Sequence, residues 1–232
     1  STNKGINFTL VYSASTAITA IDVHSSNSSI VYLLTSGNSG QALKSTNGGT
    51  SFTNFSTGLP SIGKNTIVHQ GRHSDNPLYV GTSLGVYYID DTLSSWIPFD
   101  TNLPNVSVTD LEINLEDNKL IAATYGRGIW QTDIEVQIQP NDIKITQIIN
   151  PSSTVSCGST ISPQIQVKNN GLNTISTVNI TYEVDGVSNN TTWIGTILSN
   201  QTELINLPNL TLQRGSHNIL VNATIANDSF SD

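Results

Sequence analysis

The segment Ser45-Thr46-Asn47-Gly48-Gly49-Thr50-Ser51-Phe52 does not stand alone in this chain. Ser1-Thr2-Asn3-Lys4-Gly5-Ile6-Asn7-Phe8 matches it 44 residues earlier, and Ile89-Asp90-Asp91-Thr92-Leu93-Ser94-Ser95-Trp96 falls 44 residues later. The third copy is degenerate, yet it sets Asp91 opposite Asn47 and Trp96 opposite Phe52. Leu59-Pro60 and Leu103-Pro104 keep the same spacing. A fixed period of this length marks a supersecondary unit that buries its apolar face against its neighbours.

Between the copies, short apolar alternations recur in order. Ile18–Ile21, Asn65–Val68 and Val108–Leu111 read as first strands, and Val31–Leu34, Leu78–Val80 and Leu120–Ala123 as second strands. Ala42–Lys44, Gly85–Tyr88 and Gly128–Gln131 read as third strands. Turn-formers such as Ser26-Asn27-Ser28 and Ser74-Asp75-Asn76-Pro77 separate the first from the second. No stretch keeps a helical period. Four short strands per unit of this length is the spacing of a β-propeller blade. The expectation is about two and a half blades over residues 1–134.

The repeated octet has a mechanical rationale. A short polar side chain ahead of two glycines folds back onto backbone N–H groups, the glycines supply the tight turn, and the aromatic packs between strands. This resembles the Asp-box of sialidase-type (BNR) propellers, with Asn3 and Asn47 in place of the usual aspartate. The resemblance implies a structural role for Ser1, Asn3, Gly5, Phe8, Ser45, Asn47, Gly49, Phe52, Asp91 and Trp96, away from any active centre. Ala123-Thr124-Tyr125-Gly126-Arg127-Gly128-Ile129-Trp130 resembles the closing blade of sortilin-like and xyloglucanase-like propellers. That likeness implies that further blades precede Ser1, so the remainder of the polypeptide, upstream and downstream, is itself an expected partner.

After Ile134 the period is lost. Residues 135–141 read as a linker, and alternation resumes over 142–232 with strands expected at Asp142–Ile148, Ser162–Lys168, Thr177–Val184, Thr191–Ile197, Glu203–Leu207 and Ser216–Ile225. Asn169-Asn170-Gly171 and Asp185-Gly186 read as hairpin turns. This is the spacing of an immunoglobulin-like β-sandwich, so the whole chain is expected to be all-β. Asp142-Ile143-Lys144-Ile145, Val167–Gly171, Tyr182–Gly186 and Gly215-Ser216-His217 resemble the CARDB domain of bacterial cell-adhesion proteins. The resemblance implies a spacer or adhesion module in an exported protein, often one that leaves by the type IX route.

Composition narrows the partners. Charged residues are only 11% of the chain and the net charge is −8, so no basic stripe exists to neutralise nucleic-acid phosphates or to hold an anionic membrane. No apolar run is long enough to insert into a bilayer. Cys157 is the one cysteine, read as a small buried hydrophobe; it has no partner for a disulfide. The many Asn-x-Ser/Thr sequons, Asn7 and Asn54 among them, signal an exposed uncharged surface.

The candidates for chemistry lie on the inner strands, whose polar residues line a propeller's channel. The alignment sets Asp22, His69 and Glu112 at one position and Asp110 beside them, opposite Ala20 and Ile67. Asp110 is therefore the weak candidate for a glycosidase carboxylate, a chemistry that needs two such groups across the scissile bond. Arg127 is the candidate for gripping a substrate carboxylate. His69 and His73 lack a third ligand at metal spacing, so no metal site and no cofactor are expected. The reading that follows is a non-catalytic secreted or cell-surface bacterial module that binds a glycan or a protein. Its alternatives are the C-terminal part of a secreted hydrolase and a component of a surface fibre or layer.

Overall fold

The computed structural model describes residues 6–151, 158 and 160–229; Ser1, Asn3, Gly5 and Cys157 lie outside them. Among the described residues every regular element is a strand, and no helix is long and apolar enough to cross a membrane. The chain divides into two compact units, Ser1–Gln137 and Ile138–Asp232.

The first unit consists of three consecutive antiparallel sheets. The first blade is β1 (Ile18–Val23), β2 (Val31–Thr35), β3 (Ala42–Ser45) and β4 (Thr53–Asn54), and the second is β5 (Lys64–His69), β6 (Leu78–Thr82), β7 (Gly85–Ile89) and β8 (Ile97–Pro98). The third has only β9 (Val108–Asn114), β10 (Lys119–Thr124) and β11 (Gly128–Asp133). It is a partial propeller, each strand pairing with the next in sequence. The apolar alternation of these strands feeds two seams. Between the first two blades lie Tyr32, Leu34, Ala42, Ile67, Leu78, Val80 and Trp96. The second and third blades share Tyr79, Val86, Tyr88, Val108, Leu111, Leu120 and Ala122.

The octet at Ser45 forms the β3–β4 turn as its residue types require. Buried Ser45 accepts at Oγ from the N–H groups of Asn47 (3.2 Å) and Gly49 (2.9 Å), and Asn47 Oδ1 accepts from Ser51 N–H at 2.9 Å. Gly48 and Gly49 both take positive φ, 68° and 87°, which a side chain would resist. Phe52 then stacks on Tyr12, ring centroids 4.6 Å apart. In the β7–β8 turn the organising carboxylate is Asp90, not Asp91. Asp90 Oδ1 accepts from the N–H and hydroxyl of Thr92 (2.9 and 2.7 Å), and Oδ2 from the Tyr88 hydroxyl at 2.6 Å. With no glycine pair this turn closes differently, and Asp91 faces outward to Asn76 and Lys44. Phe8, which belongs to the first copy, is exposed.

The second unit is a β-sandwich. Its strands are β12 (Ile143–Asn150), β13 (Thr160–Ile161), β14 (Gln164–Asn169), β15 (Ile175–Val184), β16 (Val187–Ile197), β17 (Thr202–Asn206), β18 (Leu210–Thr211) and β19 (Ile219–Thr224). The sheets run β12-β14-β17 and β16-β15-β19, with β13-β18 as a short ribbon. Their inner faces meet in one core containing Ile143, Ile165, Val167, Ile205, Val178, Ile180 and Tyr182. Asp185 (φ 51°) and Gly186 (φ 85°) make the expected tight hairpin between β15 and β16.

The hairpin expected at Asn169-Asn170-Gly171 does not form. β14 and β15 belong to different sheets, and this segment crosses between them. Asn169 is fully buried and donates through Nδ2 to the carbonyls of Asn173 (2.8 Å) and Ile197 (2.9 Å), while its Oδ1 accepts from Gly171 N–H. A turn-forming sequence serves here to satisfy buried backbone carbonyls at a crossover. Gly171 is required by space: a Cβ there would sit 2.7 Å from the Asp142 nitrogen.

Candidate functional site

The inner strands β1, β5 and β9 line a polar cleft of about 410 Å³ that includes Thr19, Asp22, Asn65, Thr66, Asp110 and Glu112. Each of these strands carries a register irregularity near its start, so Ala20, Thr66 and Asp110 become equivalent positions just past it. Two residues further on, Asp22, Val68 and Glu112 share the next inward position.

His69 is therefore displaced from the expected row by one residue, and a one-residue slip in a strand turns the side chain to the other face. It does not reach the cleft. It is buried in the first seam, its ring 4.2 Å from His24 and stacked 5.8 Å from Tyr32. Its Nδ1 accepts from Ser25 N–H at 3.5 Å. Nε2 and the Tyr32 hydroxyl are buried without a hydrogen-bond partner among the described residues. Burial, with His24 and Lys44 adding to it, pulls the His69 imidazole down from 6.5 to about 4, so it is neutral at physiological pH. Burial likewise raises the Tyr32 phenol to about 12.

The carboxylates of the cleft join neighbouring blades. Asp22 accepts from its neighbour Val23 N–H at Oδ1 (2.8 Å) and from His69 N–H across the seam at Oδ2 (2.6 Å). Asp110 Oδ1 accepts from Leu111 N–H at 3.0 Å and from the Thr66 hydroxyl at 3.4 Å. Thr19 donates to the Lys64 carbonyl (2.9 Å) and Asn65 Nδ2 to the Val108 carbonyl (2.8 Å). These are rungs of one pattern, repeated from blade to blade, and they tie the inner strands together where no backbone ladder connects the sheets. Glu112 lines the cleft with its side chain exposed.

Arg127 is not part of this cleft. It sits exposed in the β10–β11 turn, where its carbonyl accepts from Trp130 Nε1 at 3.0 Å. Thr19, Asn65, Thr66 and Thr109 are the hydroxyl and amide residues of the cleft that pattern reading missed; such residues are so common in this chain that their identity gives no signal. Among the described residues no group of three or more His, Cys, Asp or Glu side chains is placed to hold a metal ion.

No family model matches the chain, and no curated protein matches it. Similar solved structures include the extracellular domain of a protein described as a hybrid two-component system from B. thetaiotaomicron, at 15% identity and TM-score 0.42, covering 93% of this chain and 31% of that one. A GH74 enzyme from Niastella koreensis matches at 16% identity and TM-score 0.41, over 66% of this chain and 28% of the other. A second B. thetaiotaomicron extracellular domain of the same kind gives 14% identity and TM-score 0.36, over 89% and 28%. The chain thus spans less than a third of each. At these scores nothing about activity passes from those proteins to this chain, whose own sheets define it as a partial propeller followed by a β-sandwich.

Proposed function

We propose that the chain is a non-catalytic binding module of an exported bacterial surface protein. Its blades serve as the receptor for a glycan or protein ligand, and the sandwich acts as spacer. The observation that supports this reading is the use made of the inner-strand acids. Asp22 holds a backbone N–H with each oxygen, and Asp110 is engaged with Leu111 N–H and Thr66. Glycoside hydrolysis asks instead for one carboxyl kept protonated and another free to attack or to activate water. The Asp-box, sortilin-like and CARDB resemblances of the sequence support the rest of the proposal, including export by the type IX route and an adhesive role.

The test is a glycan array and a surface-protein capture with the whole chain, run beside a hydrolysis assay on the same glycans. Saturable binding without turnover is expected. Turnover that disappears in Asp110→Asn would overturn the reading in favour of a hydrolase, and absence of any binding would overturn it in favour of a structural component.

A further inference from the structure

Two histidines from neighbouring blades meet in the first seam, and one of them also holds a carboxylate of the polar cleft. His24 follows β1 and His69 ends β5; their rings lie 4.2 Å apart, tilted by 32°. His24 Nδ1 accepts from the N–H groups of Ser26 and Asn27, both at 3.2 Å. Its proton is therefore on Nε2, which donates to Asn76 Oδ1 at 2.7 Å. His69 Nδ1 accepts from Ser25 N–H at 3.5 Å, which places its proton on Nε2 too. Each lone pair that could take up a second proton thus points at backbone donors. The surroundings fit two neutral rings and no charged one.

A charge formed here has nowhere to go. His69 is buried and its ring also stacks on Tyr32, so water cannot solvate it in place. The charged and titratable groups around the pair are Asp22 on β1, Tyr32 on β2, Lys44 on β3 and Asp91 after β7. Lys44 opposes a charge on His69, as does His24. Asp91 favours one, but it already faces Lys44 at 3.8 Å. Separating β1 from β5 is what relieves the charge. The cleft depends on the same contact, because His69 N–H donates to Asp22 Oδ2 at 2.6 Å and Asp22 lines the cleft.

We infer that the stacked His24–His69 pair is an acid-sensitive catch: a proton added to either ring parts β1 from β5 and detaches Asp22 from His69 N–H, so that seam and cleft respond together. In the closed form both Asp22 oxygens are spent on backbone N–H groups, those of Val23 and His69. In the open form Oδ2 is released into the cleft, and the carboxylate there becomes a stronger acceptor. Ring, seam and cleft are joined through one backbone N–H, which is how a local protonation reaches a site that neither ring touches. The device does not depend on which ligand the cleft takes.

The test is amide exchange on the whole chain as pH is lowered, with the histidine rings followed by NMR in the same samples. The protection factor of the residue-69 amide should fall by up to about tenfold per pH unit from 6.5 towards about 4, in step with the His69 ring. Protection of the Tyr88 amide in the second seam should hold over that range. His69→Gln is expected to remove the slope, and His24→Gln, at a less buried position, to reduce it. A residue-69 amide that keeps its protection while the rings take up protons would overturn the inference. So would a slope unchanged in both variants, or a loss shared equally by Tyr88, which would mean that the propeller unit opens as a whole.

Discussion

In the sandwich, Ile165 on one sheet and Val178 on the other are covered by strands of the same closed unit, and both are fully buried. In the propeller, one repeated position has three different fates. Ile67 and Leu111 are 5% and 3% exposed, each packed in a seam against the blade before it, while Ile21 at the same place on β1 is 60% exposed. A sandwich encloses its core between two sheets of one chain segment. A blade has no core of its own, so the burial of its apolar face depends on which neighbour is present. Identical strand chemistry therefore yields core or surface according to assembly.

The strongest way to break this comparison is at the filled seam. Trp96→Ala removes the largest side chain between the first two blades, and a loss of about 3–5 kcal/mol is expected from propeller stability. Denaturant unfolding followed by hydrogen exchange reads it. Protection should fall across β1–β8 while β12, β14 and β15 keep theirs; a uniform fall over both units would show that they do not unfold separately.

Acid attacks the same seam by another route. The folded state holds His69 neutral, its pKa lowered to about 4 from 6.5. Stability from this group is complete above pH 6.5 and drains away as pH falls towards 4, because the unfolded chain takes up the proton first. The depressed pKa corresponds to about 3 kcal/mol over that window. His24, Tyr32, Lys44 and Asp91 surround the ring, and His69→Gln should flatten this part of the pH profile. A profile unchanged by that variant would contradict the buried, neutral ring.

The equivalent-position argument can be sharpened with a pair of variants. Ile67→Ala should cost about 2 kcal/mol or more, and Ile21→Ala about 0.5 kcal/mol or less, since an exposed isoleucine leaves no cavity behind. Equal losses would mean that the face of β1 is covered in solution.

The smallest effect belongs to the sandwich. His217 lies with Nδ1 2.5 Å from Asp185 Oδ2 and Nε2 2.8 Å from the Gln213 carbonyl, so both ring nitrogens donate. The pair raises the histidine pKa and lowers that of the aspartate. Its contribution is present below the ordinary histidine value and is lost as pH rises through the elevated one. An NMR titration should show His217 titrating above the ordinary histidine value, and Asp185→Asn should bring it down.

Much of this fold is legible in the sequence. The period of Ser1, Ser45 and Ile89 announced repeated blades, and the alternation of β2, β6 and β10 placed their buried strands, because both depend on local spacing alone. The Asp185-Gly186 hairpin followed from positive-φ chemistry in the same way. Three features did not follow. Asn169-Asn170-Gly171 has a turn composition, but whether a turn joins paired strands or crosses between sheets is set by long-range pairing. His69 falls in the channel row by spacing alone, because the register irregularity that turns it into the seam leaves no mark in the sequence. Asp90 displaced Asp91 because loss of the glycine pair re-routed one turn.

What the sequence determined by itself was the all-β class, the repeat and the strands, since strand period, turn chemistry and composition act over a few residues. What only the tertiary structure decided was which copy of a repeated position is core and which is surface. Asp22 and Asp110 became seam ties, and Ile67 and Leu111 became core while Ile21 stayed exposed. Those outcomes depend on which strands lie beside one another, and contacts between residues some 40 positions apart leave no local mark on the chain.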